Sequence, residues 1–208
     1  MQRRNRFCLA ALAAAVLVLV AGGAGFAYLG VYNVAADEKH WAATQSLLEV
    51  VRTRSIQSRS RGIRDVPDLE DPKLISVGAG QYAEMCVQCH LAPGMKDSPL
   101  REGLYPRPPD LSLESPEPRA AFWVVKHGIK MTGMPAWGVS HDDATLWALV
   151  AFLQKLPRLD AKAYEKMTAE APADESMPSM PGMKGMSPGG AKGSTPAHRD
   201  SKPHGHAK

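Results

Sequence analysis

The chain has 208 residues, 44% of them apolar, which suits one ordinary domain with appendages and excludes several large cores. Its 25 Lys and Arg against 21 Asp and Glu leave a formal charge of +4, too mild a surplus to imply nucleic acid, and no nucleic-acid partner is expected. Three cysteines exclude a densely disulfide-stapled mini-protein.

Arg3, Arg4 and Arg6 precede a run without a charged residue from Phe7 to Ala36, dominated by Ala, Val, Leu and Gly. A membrane span needs roughly 20 apolar residues, whereas the apolar part of a secretory signal is about 7 to 15, so the length favours a retained anchor. The small residues Val34-Ala35-Ala36 suit a peptidase, and cleavage after them is the alternative. Arginines before the run, with Asp37 and Glu38 after it, place the N-terminus in the cytoplasm and the rest of the chain outside. Residues 1–36 are thus assigned to a cytoplasmic N-terminus and transmembrane anchor. Cys8, at the start of the run, is expected to be an inert apolar residue, with acylation as the other option.

Residues 37–72 are expected to form a helical linker. Between 41 and 60 the apolar Trp41, Leu47, Leu48, Val50, Val51 and Ile56 predict a helix that ends before Gly62. Arg52, Arg54 and Arg59 near its end are either a solvated face or a basic stripe on anionic headgroups. Val66-Pro67 to Asp71-Pro72 then reads as extended chain, because the residue before each proline is pushed out of the α region.

Residues 73–160 carry the chemistry. With 3 Cys and 7 His in the chain, Cys86-Val87-Gln88-Cys89-His90 would arise by chance about once in a thousand such sequences. Two thiols three positions apart at a helix end can each add to a vinyl group of one haem, and the adjacent His is then held under the iron. A redox disulfide would want a βαβ context and a zinc site a second Cys or His pair, and neither surrounds this motif. Leu74, Val77, Gly78, Tyr82 and Met85 fall on one helical stripe before it. Six prolines between Pro93 and Pro116 exclude a continuous helix after it and predict an ordered loop. Glu117 to Gly128 predicts a short helix closed by the glycine. Ser140 and Asp143 read as a capping box for a helix from His141 to Leu156 with Leu146, Leu149, Val150 and Leu153 on its apolar face, stopped by Pro157.

In these residues the chain resembles a membrane-anchored class I c-type cytochrome over about residues 73 to 157. The resemblance implies an all-α class I cytochrome c fold wrapped around one covalent haem c, with Cys86 and Cys89 as its thioether attachments and His90 as an axial ligand. Gly78-x-x-x-Tyr82-x-x-x-Cys86 is similar to the family's first helix, whose small residue permits close crossing by the last helix, so Phe152 is expected against Gly78 or Tyr82. Pro108-Pro109-Asp110-Leu111 resembles the segment on the His side of the haem, and a partner for the imidazole N–H is expected, although the sequence does not say which carbonyl it is. Met134, between Gly133 and Pro135, matches the Gly-Met-Pro-Ala segment that supplies the family's Met ligand; Met131 and His127 are its rivals.

Residues 161–208 are assigned to a low-complexity Met/Pro/Gly/His-rich tail, expected to be disordered, which from Ala171 onwards cannot bury a core. Met177, Met180, Met183 and Met186 recur every three residues, with His198, His204 and His206 beyond. A polyproline-like chain would align the four thioethers, which suit Cu(I), so copper capture stands beside a plain soluble extension.

Both axial positions of such a haem are filled, which leaves outer-sphere electron transfer as the expected function and no catalytic residues. The expected setting is the periplasmic side of a bacterial cytoplasmic membrane, between a donor dehydrogenase or quinol-oxidising complex and an acceptor oxidase or soluble carrier. Two alternatives remain, a haem subunit of a larger oxidoreductase and a peroxidase-type enzyme whose Met ligand dissociates.

Overall fold

The structure, a computed structural model, describes residues 2–172. Met177, Met180, Met183 and Met186 lie outside the described residues, as does the remainder of the tail from residue 173. Among the described residues there are eight α-helices and no strand.

Helix α1 (Gln2–Tyr28) contains one span, Arg3–Tyr28, long and apolar enough to cross a membrane, with a mean hydropathy of 2.5 and its most apolar stretch unburied by the rest of the protein. Cys8 lies exposed on it. Helix α2 (Ala42–Ser60) matches the expected linker helix. The linker, however, is not free of the domain. One side of α2 rests on α6 (Pro118–His127), and Ile63, Val66 and Leu69 from the extended stretch pack on the core. Apolar side chains spaced along an extended segment can cover a core as well as a helix can, and here they close one flank of it.

Three helices start by one device, an acceptor side chain followed by proline at the first helical position, where the missing N–H costs nothing. Asp71 caps α3 (Pro72–Met85), Ser98 caps the single turn α5 (Pro99–Glu102), and Glu117 caps α6, each accepting a backbone N–H of the first turn. The expected short helix after Glu117 is therefore present, and Gly128 ends it at φ +64°. Helix α4 (Val87–His90) continues α3 after a break at Cys86.

Helix α7 (Asp143–Lys155) begins two residues later than the capping box implied. Its cap is Asp142, which accepts the Thr145 N–H at 2.8 Å, and this bond holds the Asp142 carboxyl below the usual carboxylate range. Ser140 instead ends a 3-10 turn over Trp137–Val139 and turns its hydroxyl back to the Trp137 carbonyl. The helix ends at Lys155, ahead of Pro157 as expected, and the proline sits in a second 3-10 turn, Leu156–Arg158. The tail assignment is corrected at its start. Ala161–Ala169 form α8, capped by Asp160, and pack on α3, because Tyr164 and Met167 share a face and cover the core.

The main crossing is α3 on α7. Leu146, Leu149, Val150, Phe152 and Leu156 are almost fully buried there together with Ala79 and Tyr82. Gly78 makes the contact close: a Cβ at that position would enter the Ala148 carbonyl and stand 2.9 Å from Phe152 Cβ. Phe152 in turn lies against Tyr82, ring centroids 5.4 Å apart, so it meets both of the residues expected of it. Phe122 of α6 stacks on Trp147 at 4.1 Å and fixes the third helix of the core.

Candidate haem-attachment site

Cys86, Cys89 and His90 occupy the break and short helix that follow α3, so the α3–α7 crossing sets where the motif sits. Helical bonds run through it, from the His90 N–H to the Cys86 carbonyl at 2.8 Å and from the Leu91 N–H to the Val87 carbonyl at 2.9 Å. Leu91 then turns the chain with φ +63° and ψ 166°, a positive-φ conformation that costs a side-chain-bearing residue about 1–3 kcal/mol. Two features offset it. The Leu91 side chain is 1% exposed, and the Tyr82 hydroxyl, buried in the core, donates to the carbonyls of both His90 (3.1 Å) and Leu91 (2.6 Å). Burial pushes the Tyr82 phenol far above its ordinary value, so it stays a donor.

The imidazole partner left open by the sequence is the Pro109 carbonyl, 2.9 Å from His90 Nδ1. A carbonyl only accepts, so Nδ1 carries the proton and Nε2 keeps its lone pair free for a metal. Burial pulls the His90 pKa down, partly countered by this bond, and the neutral ring that ligation requires is favoured. Both thiols of the motif are unpaired, and burial pushes Cys86 up to about 12 and raises Cys89 as well.

The Pro109 carbonyl is itself held in place. Arg101, its side chain 13% exposed, donates from Nε to the Pro108 carbonyl at 3.0 Å and from Nη1 to Asp97 at 3.2 Å. Asp97 also pairs with Arg107, and Ser98 bonds the Gln88 carbonyl inside the motif. The proline-rich loop is thereby tied to α4 at three points, since the Leu111 N–H also donates to the His90 carbonyl at 3.1 Å. Neither Arg101 nor Ser98 stands out in the sequence, because the Pro108 and Gln88 carbonyls they bond carry no side-chain signature.

Met134 and Met131 are separated clearly. Met134 is half-buried against the core cluster, whereas Met131, at φ +60°, is 90% exposed. The Met134 backbone is pinned on both sides: its carbonyl accepts the Ile129 N–H at 3.2 Å and its N–H donates to Thr132 Oγ1 at 3.1 Å. Thr132 Oγ1 donates onward to the Ile129 carbonyl at 2.8 Å. Gly128, which the sequence marked only as a helix stop, also admits this loop, since a Cβ there would lie 2.7–2.8 Å from the backbone of Met134, Pro135 and Ala136. His127 is exposed at the end of α6 beside Trp123, ring centroids 5.0 Å apart.

The donor set fits a covalently attached haem: two free thiols for thioether bonds, one oriented imidazole with a free Nε2, and a half-buried thioether on a fixed loop. Residues 74–153 match the family model described as cytochrome c oxidase, cbb3-type, subunit III. No curated protein and no solved structure matches the chain. The helical domain, its motif and this match make residues 74–153 a c-type cytochrome domain that carries covalently bound haem c and transfers electrons through it, and the N-terminal apolar helix ahead of it is suited to membrane anchoring.

Proposed function

We propose that the chain is a single-haem electron carrier on the periplasmic face of a bacterial cytoplasmic membrane, with Cys86 and Cys89 holding the haem and His90 and Met134 as its axial ligands. The observation that carries this reading is the His90–Pro109 bond, which fixes the proton on Nδ1 one residue after the second cysteine. Bound haem supplies a one-electron iron couple. His90 contributes a neutral ring held by Pro109, Met134 a thioether placed by Ile129 and Thr132, and the core beneath Tyr82 keeps water from the motif's backbone. A haem held by both His90 and Met134 would offer no open position for a substrate, which favours a carrier over a peroxidase-type enzyme.

Met134→Ala should abolish the weak long-wavelength charge-transfer band that marks sulfur ligation of ferric haem, and Met131→Ala should leave it intact. The reverse result would transfer the ligand to Met131. A second reading, that the chain is a haem subunit fixed to a larger oxidoreductase, draws on the matched family's description as an oxidase subunit. Co-purification with a stoichiometric partner in mild detergent separates it from the mobile carrier, whose donor would be a dehydrogenase or quinol-oxidising complex.

A further inference from the structure

Helix α2 has two faces, and only one is used by the protein. Thr44, Arg52, Ser55, Ile56 and Ser60 are partly or fully buried, and at 3.6 residues per turn they fall within about half of the helix circumference, the side resting on α6. Leu47, Val50, Val51, Arg54 and Arg61 follow the same helical spacing on the other side, and the three aliphatic residues are 64%, 58% and 56% exposed. An apolar stripe that turns basic towards its end is the pattern of a helix lying in a lipid–water interface. From Arg52 to Arg64 there are five arginines and no acidic residue. Arginine stems can follow apolar surface while their guanidinium groups reach phosphate.

The position of α2 supplies the occupant. Trp41, immediately before its first turn, meets Phe26 of α1 edge-on at 5.9 Å and Tyr32 at 5.0 Å. Tyr32 hydrogen-bonds His40 at 2.7 Å, and the His40 N–H bonds the Tyr105 hydroxyl of the haem domain at 3.3 Å. Aromatic side chains of this kind gather at the level of lipid headgroups. The first turn of α2 is therefore held against the last turn of the anchor, and its unused face continues from the membrane boundary.

We infer that α2 lies in the outer headgroup layer of the membrane that α1 spans, with Leu47, Val50 and Val51 among the acyl chains and Arg54 and Arg61 on anionic lipid phosphates. The domain then sits on the bilayer with α6 towards α2 instead of swinging from a flexible arm. The inference rests on α1 being the membrane span.

The test uses the full haem-loaded chain, reduced, in nanodiscs of phosphatidylcholine with or without phosphatidylglycerol, in a Cys8→Ser background. Spin labels are placed singly through Val50→Cys, Val18→Cys on α1 and Lys162→Cys on α8, and their accessibility to oxygen and to a water-soluble nickel chelate is measured. The label at 50 should resemble that at 18 in favouring oxygen, and should sink further when phosphatidylglycerol is present; Arg54→Gln with Arg61→Gln should remove that lipid dependence. A label at 50 as nickel-accessible as that at 162, while that at 18 stays in lipid, overturns the inference and leaves the anchor intact. A label at 18 open to nickel overturns both. Shielding at 50 from oxygen and nickel alike points to a protein partner on this face, and also overturns the inference.

Discussion

On the His90 side, contacts arrive from far along the chain: Tyr82 from α3, Pro109 from the loop, and Arg101 and Asp97 bracing that loop from behind. On the Met134 side almost every tie comes from within six residues, through Ile129, Thr132 and the missing side chain of Gly128. Long-range ties share the stability of the whole core, whereas a locally tied loop can open at a cost set by a few bonds. The two sides should therefore respond differently to the same insult, with the methionine loop yielding first and the histidine side holding until the domain unfolds.

The largest effect should erase the difference by striking the scaffold both sides share. In Gly78→Ala the new methyl meets the Ala148 backbone, which cannot move aside as a flexible side chain could, so the cost should reach about 3 kcal/mol or more. Thermal unfolding followed by circular dichroism should show one transition at a much lower temperature, with both ligands lost together. An unchanged midpoint would mean that α3 and α7 do not cross so closely.

Gly128→Ala should isolate the methionine side. Left-handed backbone and a crowded Met134 loop together predict a loss of about 2 kcal/mol. The sulfur-to-iron band should weaken or vanish, and the covalent haem and its His90 coordination should survive. If His90 were displaced as well, the two sides would not be separable.

Arg101→Lys should give the smallest and sharpest effect, confined to the histidine side. A lysine keeps the charge but lacks the fork that spans the Pro108 carbonyl and Asp97. Loosening Pro109 weakens the bond on Nδ1 and makes the imidazole a poorer donor, so the midpoint potential should rise. A hydrogen bond worth about 1 kcal/mol bounds the shift at roughly 40 mV for a one-electron couple. Voltammetry and the nitrogen chemical shift of the His90 ring would record it, and a fall in potential would show that Arg101 does not act through Pro109.

Much of this was legible in the residues. The motif names its own chemistry, and the helices around it announce themselves through apolar spacing, acid–proline starts and Gly128. What escaped was tertiary. Ser140-x-x-Asp143 and Asp142-x-x-Thr145 are overlapping candidates for one helix start, and the 3-10 turn at Trp137 decides between them by occupying Ser140. Helix α8 escaped because nine residues with only Tyr164 and Met167 as large apolar side chains are too short a run to declare a face, while its support, Tyr164 against Tyr82 and Phe152, belongs to the other end of the domain. Carbonyl acceptors such as Pro109 carry no side-chain signature, so no sequence pattern points to them.

The residues Ile63, Val66 and Leu69, folded onto the core, shorten the leash on which the haem travels. Were the whole stretch 29–71 free, it could reach about 150 Å when fully extended; with α2 and the segment after it bound to the domain, the thirteen residues 29–41 reach at most about 45 Å. A short leash confines the domain to a thin layer above the bilayer and raises its effective concentration for any partner embedded nearby. The same leash disfavours partners dissolved deep in the aqueous phase, so encounter becomes mainly a matter of lateral diffusion.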